Sequence, residues 1–225
     1  MKSLRFILAF CILTLAGTAA PTGTQYSSGT IIRNSGAWMG TSITFAAGHG
    51  TVVLSEALPN LAGITRQLKP SLNSGVSGNT STQMVARFEA DVMAYHPAMV
   101  SIEACYNDDG SGISVGTCTS NVTTMIQLAQ RAGARVTLWI PTFSCTPALD
   151  SAIAPYRTAI RGLAVTFSTD SFDTYNDFVA LPGPTQTSYF NPGDCQHFSA
   201  LGLAWMNSLI GTGAYANSFL PAAGP

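Results

Sequence analysis

An acidic residue and a histidine lie three positions apart near the C-terminal end of the chain, as Asp194 and His197 in the stretch Asp-Cys-Gln-His. A carboxylate that accepts a hydrogen bond from a histidine ring fixes the tautomer of the ring, and the other ring nitrogen can then act as a general base. The chain has only three histidines, so the choice of catalytic base is nearly forced. Because this spacing also arises by chance, it indicates chemistry only together with other residues.

Three upstream segments contain residue types that such a base requires. The stretch from Trp38 to Thr44 is an apolar approach followed by Gly-Thr-Ser, in which a glycine for a tight turn precedes Ser42. Residues 75–80 contain Gly78, and residues 102–108 contain Asn107 directly after a segment typical of a strand. Together with the Asp-His pair, these segments indicate nucleophilic catalysis by a serine.

In this order, the four segments resemble the SGNH hydrolases, also called the GDSL esterase/lipase family, over residues 35–210. The resemblance implies that Ser42 is the nucleophile and that Asp194 and His197 complete a catalytic triad. It also implies that Gly78 and Asn107 are the glycine and asparagine of the second and third family blocks. The agreement is most specific over residues 75–87 and 100–108, where spacing and neighbouring residues match together.

Three positions depart from the family pattern. Thr41 stands where the family usually has aspartate, Cys105 where a glycine is usual, and Phe198 where a proline commonly follows the histidine. Thr41 weakens the match most. The missing aspartate is neither the nucleophile nor the acid of the triad, so we interpret its loss as tuning of the site rather than inactivation.

The expected chemistry assigns a role to each matched residue. A serine hydroxyl is a weak nucleophile and needs a base within hydrogen-bond reach, which His197 can supply while Asp194 orients the ring. Negative charge then grows on the carbonyl oxygen of the ester and requires donors already aimed at it. We expect this oxyanion hole to consist of the backbone N–H groups of Ser42 and Gly78 and the side-chain amide of Asn107.

The composition limits the classes of function. With 225 residues and 46% hydrophobic content, the chain is of ordinary size for one domain with a packed core. Charged residues make up 9% and the net charge is −1, which gives no electrostatic reason to expect binding to nucleic acid or an anionic membrane. We expect a monomer without cofactor or metal that acts on a small-molecule or polysaccharide ester.

The first twenty residues have the pattern of a secretory signal peptide. Lys2 and Arg5 precede an apolar run over residues 6–15, and small residues follow up to Ala20. The apolar run is short for a membrane-spanning helix, although an uncleaved N-terminal anchor is the alternative. We therefore predict removal of residues 1–20, a single SGNH-hydrolase-like domain over residues 21–225, and a secreted or periplasmic location.

Export makes disulfides the favoured state of the cysteines. Cys11 leaves with the signal peptide, and four cysteines remain in an oxidising compartment without any Cys-x-x-Cys spacing that would suggest zinc. Four cysteines allow three pairings. We favour Cys105 with Cys118, which would close the loop after the asparagine block, and Cys145 with Cys195, which would anchor the Asp-His loop.

Hydrophobic patterns predict an α/β fold: three layers, with a doubly wound, mostly parallel, flavodoxin-like sheet between helices on both faces. Apolar runs rich in β-branched residues predict strands at 99–102, 135–140 and 163–167, and periodicity predicts helices at 82–95, 122–131, 149–161 and 200–209. Gly133 and Gly162 are expected to cap two helices. In the expected first strand, the polar residues 33–36 break the usual continuous apolar run. The turn-rich segment 170–193 is expected to frame the substrate mouth, with an irregular connection as the alternative.

The leading functional prediction is a secreted serine esterase for short-chain or acetyl esters, since the segment before Gly78 has no large apolar insertion. A non-catalytic carbohydrate-binding β-sandwich is an alternative, in which residues 40–45 and 52–54 form strands. A degenerate relative that binds esters without hydrolysing them is another. His49 could line the cleft but is expected at the surface, and His96 is expected to be structural.

Overall fold

A parallel five-stranded sheet lies at the centre of the structure, a computed structural model that describes residues 32–45, 71–181, 187–211, 215 and 218. The strand order is β2-β1-β3-β4-β5, and every pairing is parallel. The strands are β1 (Ile32–Gly40), β2 (Ser71–Gly75), β3 (Pro97–Glu103), β4 (Arg135–Trp139) and β5 (Asp170–Phe172). A parallel arrangement with helical crossovers is the predicted α/β fold, which is confirmed.

In the described part of the chain, five α-helices connect and flank the strands. They are α1 (Ser81–Asp91), α2 (Val115–Arg131), α3 (Pro147–Thr166), α4 (Tyr175–Val179) and α5 (Ala200–Gly211). Short 3₁₀ turns occur at Met93–Tyr95, Asp109–Ser111 and Thr187–Tyr189. None of the helices in the described ranges is long and apolar enough to cross a membrane.

Alternate side chains of the central strands enter two separate hydrophobic cores. In β3, Val100 and Ile102 pack with residues of α1 and α2, whereas Met99 belongs to a cluster that contains Phe178 of α4 and Met206 of α5. Side chains alternate between the two faces of a strand, so the two clusters lie on opposite faces of the sheet. This is the predicted three-layer arrangement.

The strand predicted at 163–167 is wrong, because these residues are the last turns of α3. Leu163 and Ala164 are buried and follow Ile160 at helical spacing, whereas Val165 is 81% exposed. Gly162 therefore lies inside the helix and does not cap it. The fifth strand is β5, which lies at the start of the segment 170–193 that we predicted to be turn-rich. The prediction for Gly133 is consistent with its left-handed φ of 82° just after α2.

Three other boundaries differ from the prediction. Helix α2 begins seven residues earlier, because Ser114 caps it by accepting the Thr117 N–H. Helix α1 ends at Asp91, and a separate 3₁₀ turn follows. Strand β1 continues through the polar residues that break its apolar run, with a register shift against β3 between Ile32 and Gly36. Its Ser35 is buried and accepts the Ala98 N–H at 3.0 Å.

The β-sandwich alternative is wrong. Residues 41–45 form a turn rather than a strand, and residues 52–54 lie outside the described residues. The predicted signal peptide at residues 1–20 and His49 also lie outside them.

Candidate active site

The sheet brings three of the predicted segments to one edge. Strands β2, β1 and β3 are neighbours and run in the same direction, so their carboxyl ends lie side by side. Gly78 follows β2, Ser42 follows β1 and Asn107 follows β3. The carboxyl edge of a parallel sheet is where ligands bind in open α/β folds.

Ser42, His197 and Asp194 form a continuous chain of hydrogen bonds. The Oγ of Ser42 lies 2.8 Å from Nε2 of His197, and Nδ1 of the same ring lies 2.9 Å from Oδ2 of Asp194. A carboxylate only accepts hydrogen bonds, so in the neutral ring Nδ1 holds the proton and Nε2 accepts from the serine hydroxyl. The structure thus places a base against Ser42 although 155 residues separate the two.

Asp194 is held as a carboxylate by its own loop. Burial opposes its ionisation, but its Oδ1 accepts the N–H groups of Gln196 at 2.9 Å and His197 at 3.1 Å, and Oδ2 accepts from the His197 ring. These hydrogen bonds outweigh the burial and lower the pKa of Asp194. The acid therefore remains negative and fixes the ring orientation of its neighbour.

The loop that contains Asp194 and His197 has further anchors on both sides. Asn191 N–H donates to the His197 carbonyl at 2.8 Å, and Phe190 forms an antiparallel bridge with Phe198. On the other side, Cys195 is joined to Cys145 by a disulfide, and the Ser144 hydroxyl donates to the Cys195 carbonyl at 3.1 Å. The loop is thereby attached to the segment that follows β4.

Glycine is required where β1 turns into the nucleophile turn, which we define as residues 41–45. A Cβ on Gly40 would lie 1.9 Å from Oγ1 and 2.5 Å from Cβ of Thr44. The turn closes through the Phe45 N–H, which donates to the Thr41 carbonyl at 3.1 Å. Ser42, the second residue of this turn, is 8% exposed, so little of it is accessible to solvent.

Gly78 and Asn107 are linked by one contact. The Asn107 Nδ2 donates to the carbonyl of Asn79, the residue after Gly78, at 2.9 Å. Gly78 has a left-handed φ of 75°, and a Cβ there would meet nothing within 4 Å. The glycine therefore supplies both the backbone conformation and open space over its backbone. Since the amide of Asn107 has two N–H bonds, this contact uses only one.

Two functional supports were missed by the sequence analysis. Arg87 of α1 donates to the carbonyls of Gly40 at 3.3 Å and Ser74 at 2.8 Å and to Oδ1 of Asn79 at 2.8 Å. It thus joins the ends of β1 and β2 to the Gly78 turn. No signal in the sequence indicated this role, because Arg87 is one of several polar residues on the helix.

Asp108 is the second support. Its buried carboxylate accepts the N–H of Ser81 at 2.8 Å and the Ser81 hydroxyl, and so caps the start of α1 from the residue next to Asn107. A metal is a poor interpretation of this position. Although Asp108, Cys105 and Cys118 place ligand atoms within 4.8 Å, both sulfurs are bound in a disulfide and offer no thiolate.

Several known proteins are similar to this chain. The GDSL-like Lipase/Acylhydrolase family model matches residues 38–205. A lipase/acylhydrolase from Enterococcus faecalis is 22% identical, with a TM-score of 0.68 over 85% of this chain and 100% of that one. An acetyl xylan esterase is 22% identical, with a TM-score of 0.67 over 80% and 98% of the two chains.

An acetylxylan esterase from Geobacillus stearothermophilus, solved as a catalytic mutant, is 18% identical, with a TM-score of 0.63 over 78% of this chain and 92% of that one. At these identities the solved structures establish the fold alone. No curated protein matches the sequence.

Proposed function

Because the chain belongs to the GDSL-like lipase/acylhydrolase family, we propose that it is a secreted serine esterase that hydrolyses short-chain or acetyl esters through an acyl-enzyme intermediate. The observation that carries the proposal is the unbroken chain of contacts from the Ser42 hydroxyl through the His197 ring to the Asp194 carboxylate. The roles of the individual residues in the reaction belong to the same proposal.

His197 removes the hydroxyl proton as Oγ of Ser42 attacks the ester carbonyl. Asp194 stabilises the imidazolium that forms, and the ring then donates this proton to the leaving alcohol. The ester bond breaks, and the acyl group remains on Ser42. In the second half, His197 takes a proton from water, which attacks the acyl-enzyme and releases the acid. The serine recovers its proton from the ring.

The oxyanion hole is assigned to the N–H groups of Ser42 and Gly78 and to the Asn107 amide. Their support is positional, since these groups follow three adjacent parallel strands and the Asn107 side chain is tied to the Gly78 turn through Asn79. Donors fixed before the reaction stabilise the developing charge without reorganising. Arg87 and Asp108 hold the two loops in place.

The substrate class draws support from two cavities that are lined by sequence neighbours of the triad residues. The cavity beneath the nucleophile turn measures about 10 Å³ and is lined by bulky side chains such as Trp139, Phe172 and Phe198, which leaves no room there for a long acyl chain. An open groove of about 410 Å³ runs along the loop of the base, with the hydroxyls of Ser188 and Ser199 in its wall. A hydrated alcohol such as a carbohydrate suits this groove.

Two further observations support an acetylated polysaccharide in an extracellular setting. Two of the similar structures are acetylxylan esterases. The pairs Cys105–Cys118 and Cys145–Cys195 are disulfide-bonded, which suits an oxidising compartment. We therefore retain removal of residues 1–20, a single domain over residues 21–225, and a monomer as parts of the proposal.

Hydrolysis of p-nitrophenyl acetate tests the catalytic assignment. Ser42→Ala and His197→Ala should each lose at least about 10⁴-fold in kcat, since the residues of a triad act as a unit. Matched controls are Ser120→Ala, which changes an exposed serine of α2, and His96→Asn, which suits a left-handed φ of 48°. Both controls should retain wild-type rates, and equal rates in all five proteins would refute the mechanism.

A second assay tests the substrate class and the degenerate-relative alternative. Acetyl, butyryl and octanoyl esters of p-nitrophenol should show kcat/KM falling with chain length, and acetylated xylan should release acetate. A wild-type protein that binds these esters but releases no product would favour the degenerate relative. A rate that rises towards octanoate would overturn the short-chain assignment.

A further inference from the structure

A buried glutamate lies directly beneath the nucleophile turn. Glu103 is the last residue of β3 and is 3% exposed. Its Oε2 accepts three hydrogen bonds, from the Thr41 N–H at 2.7 Å, the Thr41 hydroxyl at 2.6 Å and the Thr44 hydroxyl at 3.2 Å. The two threonines stand on either side of Ser42, so a single oxygen fixes both halves of the turn.

The backbone of β1 passes close to the same carboxyl group. A Cβ on Gly40 would lie 3.0 Å from Oε2 of Glu103 and would also overlap the side chain of Thr44. Position 41 holds a threonine where the resembled family usually has an acid, and the hydroxyl of that threonine points at Glu103. The acid near the nucleophile is therefore supplied by the neighbouring strand.

The environment of Glu103 opposes its ionisation. Burial raises its pKa, against the hydrogen bonds from Thr41 and Thr44 that lower it. Oε1 accepts no hydrogen bond from the described residues, and Glu103 lines the cavity of about 10 Å³. In its protonated form the carboxyl group retains Oε2 as an acceptor and places no negative charge under a site where negative charge must develop.

On the basis of the proposed function, we propose that Glu103 is a positioning residue. Its buried carboxyl group holds turn 41–45 so that the hydroxyl and the N–H of Ser42 both point at the carbonyl group of the ester. The residue touches neither the substrate nor the reacting atoms. Its loss should therefore lower kcat with little change in KM, because substrate binding does not depend on the geometry of the nucleophile.

Three variants separate positioning from structural support. Glu103→Gln keeps an acceptor oxygen and is uncharged, so its kcat should remain within about 3-fold of wild type. Glu103→Leu, in contrast, leaves three hydrogen-bond donors without an acceptor. A displacement of about 1 Å costs on the order of 10²-fold in rate, which is the fall in kcat expected for Glu103→Leu. Thr44→Val removes one contact and should lower kcat less, by about 3- to 10-fold.

The control is Ser101→Ala, which removes a buried hydroxyl from the same strand two residues earlier. Each kcat is expressed per functional site by titrating Ser42 with a fluorophosphonate, so that loss of folded protein does not count as loss of rate. The control should retain wild-type kcat. Wild-type kcat in Glu103→Leu, or a Glu103→Gln rate as low as that of Glu103→Leu, overturns the proposal. Where Glu103→Leu does not fold, an unchanged kcat in Thr44→Val overturns it.

Hydrogen exchange of the Thr41 amide provides a readout that needs no turnover. This amide donates to Glu103 and should exchange slowly in the wild type and in Glu103→Gln, and faster by at least about 10-fold in Glu103→Leu. If the wild type hydrolyses no ester and Ser42 takes no label, the proposed function fails while the exchange result still judges the role of Glu103. Equal exchange in all proteins overturns that role alone.

Discussion

Removing the Cys145–Cys195 disulfide should disable the active site before it unfolds the protein. The bond attaches the loop that contains His197 to the segment after β4. The hydrogen bond from the Ser144 hydroxyl to Cys195 is the second contact between that segment and the loop. Cys195 directly follows Asp194. Without the bond, the acid and the imidazole should sample positions away from Ser42.

The magnitude follows from the length of the closed loop. In the chain-entropy model, the separation of 50 residues between Cys145 and Cys195 corresponds to about 4 kcal/mol, and the separation of 13 between Cys105 and Cys118 to about 3 kcal/mol. The double variant Cys145→Ala/Cys195→Ala should therefore lose about 4 kcal/mol in its free energy of unfolding in urea. The fall in kcat at low temperature, where it remains folded, should be about 10- to 100-fold.

Accessibility predicts which bond a reductant opens first. Cys105 and Cys118 are fully buried, whereas Cys145 and Cys195 are partly exposed. Under limiting dithiothreitol, alkylation and peptide mass spectrometry should find label at Cys145 and Cys195 while circular dichroism is unchanged. Activity should fall in step with that label. Earlier labelling of Cys105 and Cys118, or wild-type kcat in the double variant, would refute this account of the loop.

Three further predictions concern single positions. Asn107→Ala should lower kcat on p-nitrophenyl acetate by about 10²–10³-fold with a folded circular dichroism spectrum, and a fall below 10-fold would contradict an oxyanion role. Gly40→Ala should fail to accumulate as folded protein, because its Cβ would overlap Thr44; a normal thermal unfolding curve would contradict this. For Glu103, burial raises the pKa, so the folded state keeps a proton that the unfolded state releases. The contribution of this proton to the free energy of unfolding is complete below the unfolded pKa of about 4.3. The contribution is lost as pH rises towards the folded pKa, by up to about 1.4 kcal/mol per pH unit. Urea unfolding from pH 4 to pH 7 should show this loss in the wild type and not in Glu103→Gln, and parallel curves would contradict it.

The local sequence was sufficient to predict the residues that lie in recognisable motifs at the ends of strands. The alternation of strands and helices predicted the parallel sheet, and the four segments identified the side chains that the sheet edge brings together. Short apolar runs were not sufficient. The run at 163–167 has the composition of a strand, and only the burial of Leu163 beside the exposure of Val165 shows that it is helical.

The supporting contacts were not predictable, because each depends on tertiary placement. Glu103 and Asp108 are ordinary acids in the sequence, and their partners Thr41 and Ser81 lie 62 and 27 residues away. Arg87 has the helical position of a surface residue, yet its guanidinium reaches the carbonyl of Gly40 across 47 residues. The hydrophobic periodicity of a sequence shows which face of a helix is apolar. It does not show which polar groups of other segments the polar side chains of that helix contact.

Cys105, where the resembled family usually has glycine, shows how such a departure can be accommodated. Its φ is 71°, in the left-handed region that costs a residue other than glycine about 1–2 kcal/mol. The disulfide to Cys118 supplies about 3 kcal/mol in the chain-entropy model, enough to offset that strain. The double variant Cys105→Gly/Cys118→Ala should therefore be more stable than Cys105→Ala/Cys118→Ala by about 1 kcal/mol in urea unfolding, even though glycine gains more entropy on unfolding. The alanine pair would have to prove equally or more stable for the strain at Cys105 to be dismissed.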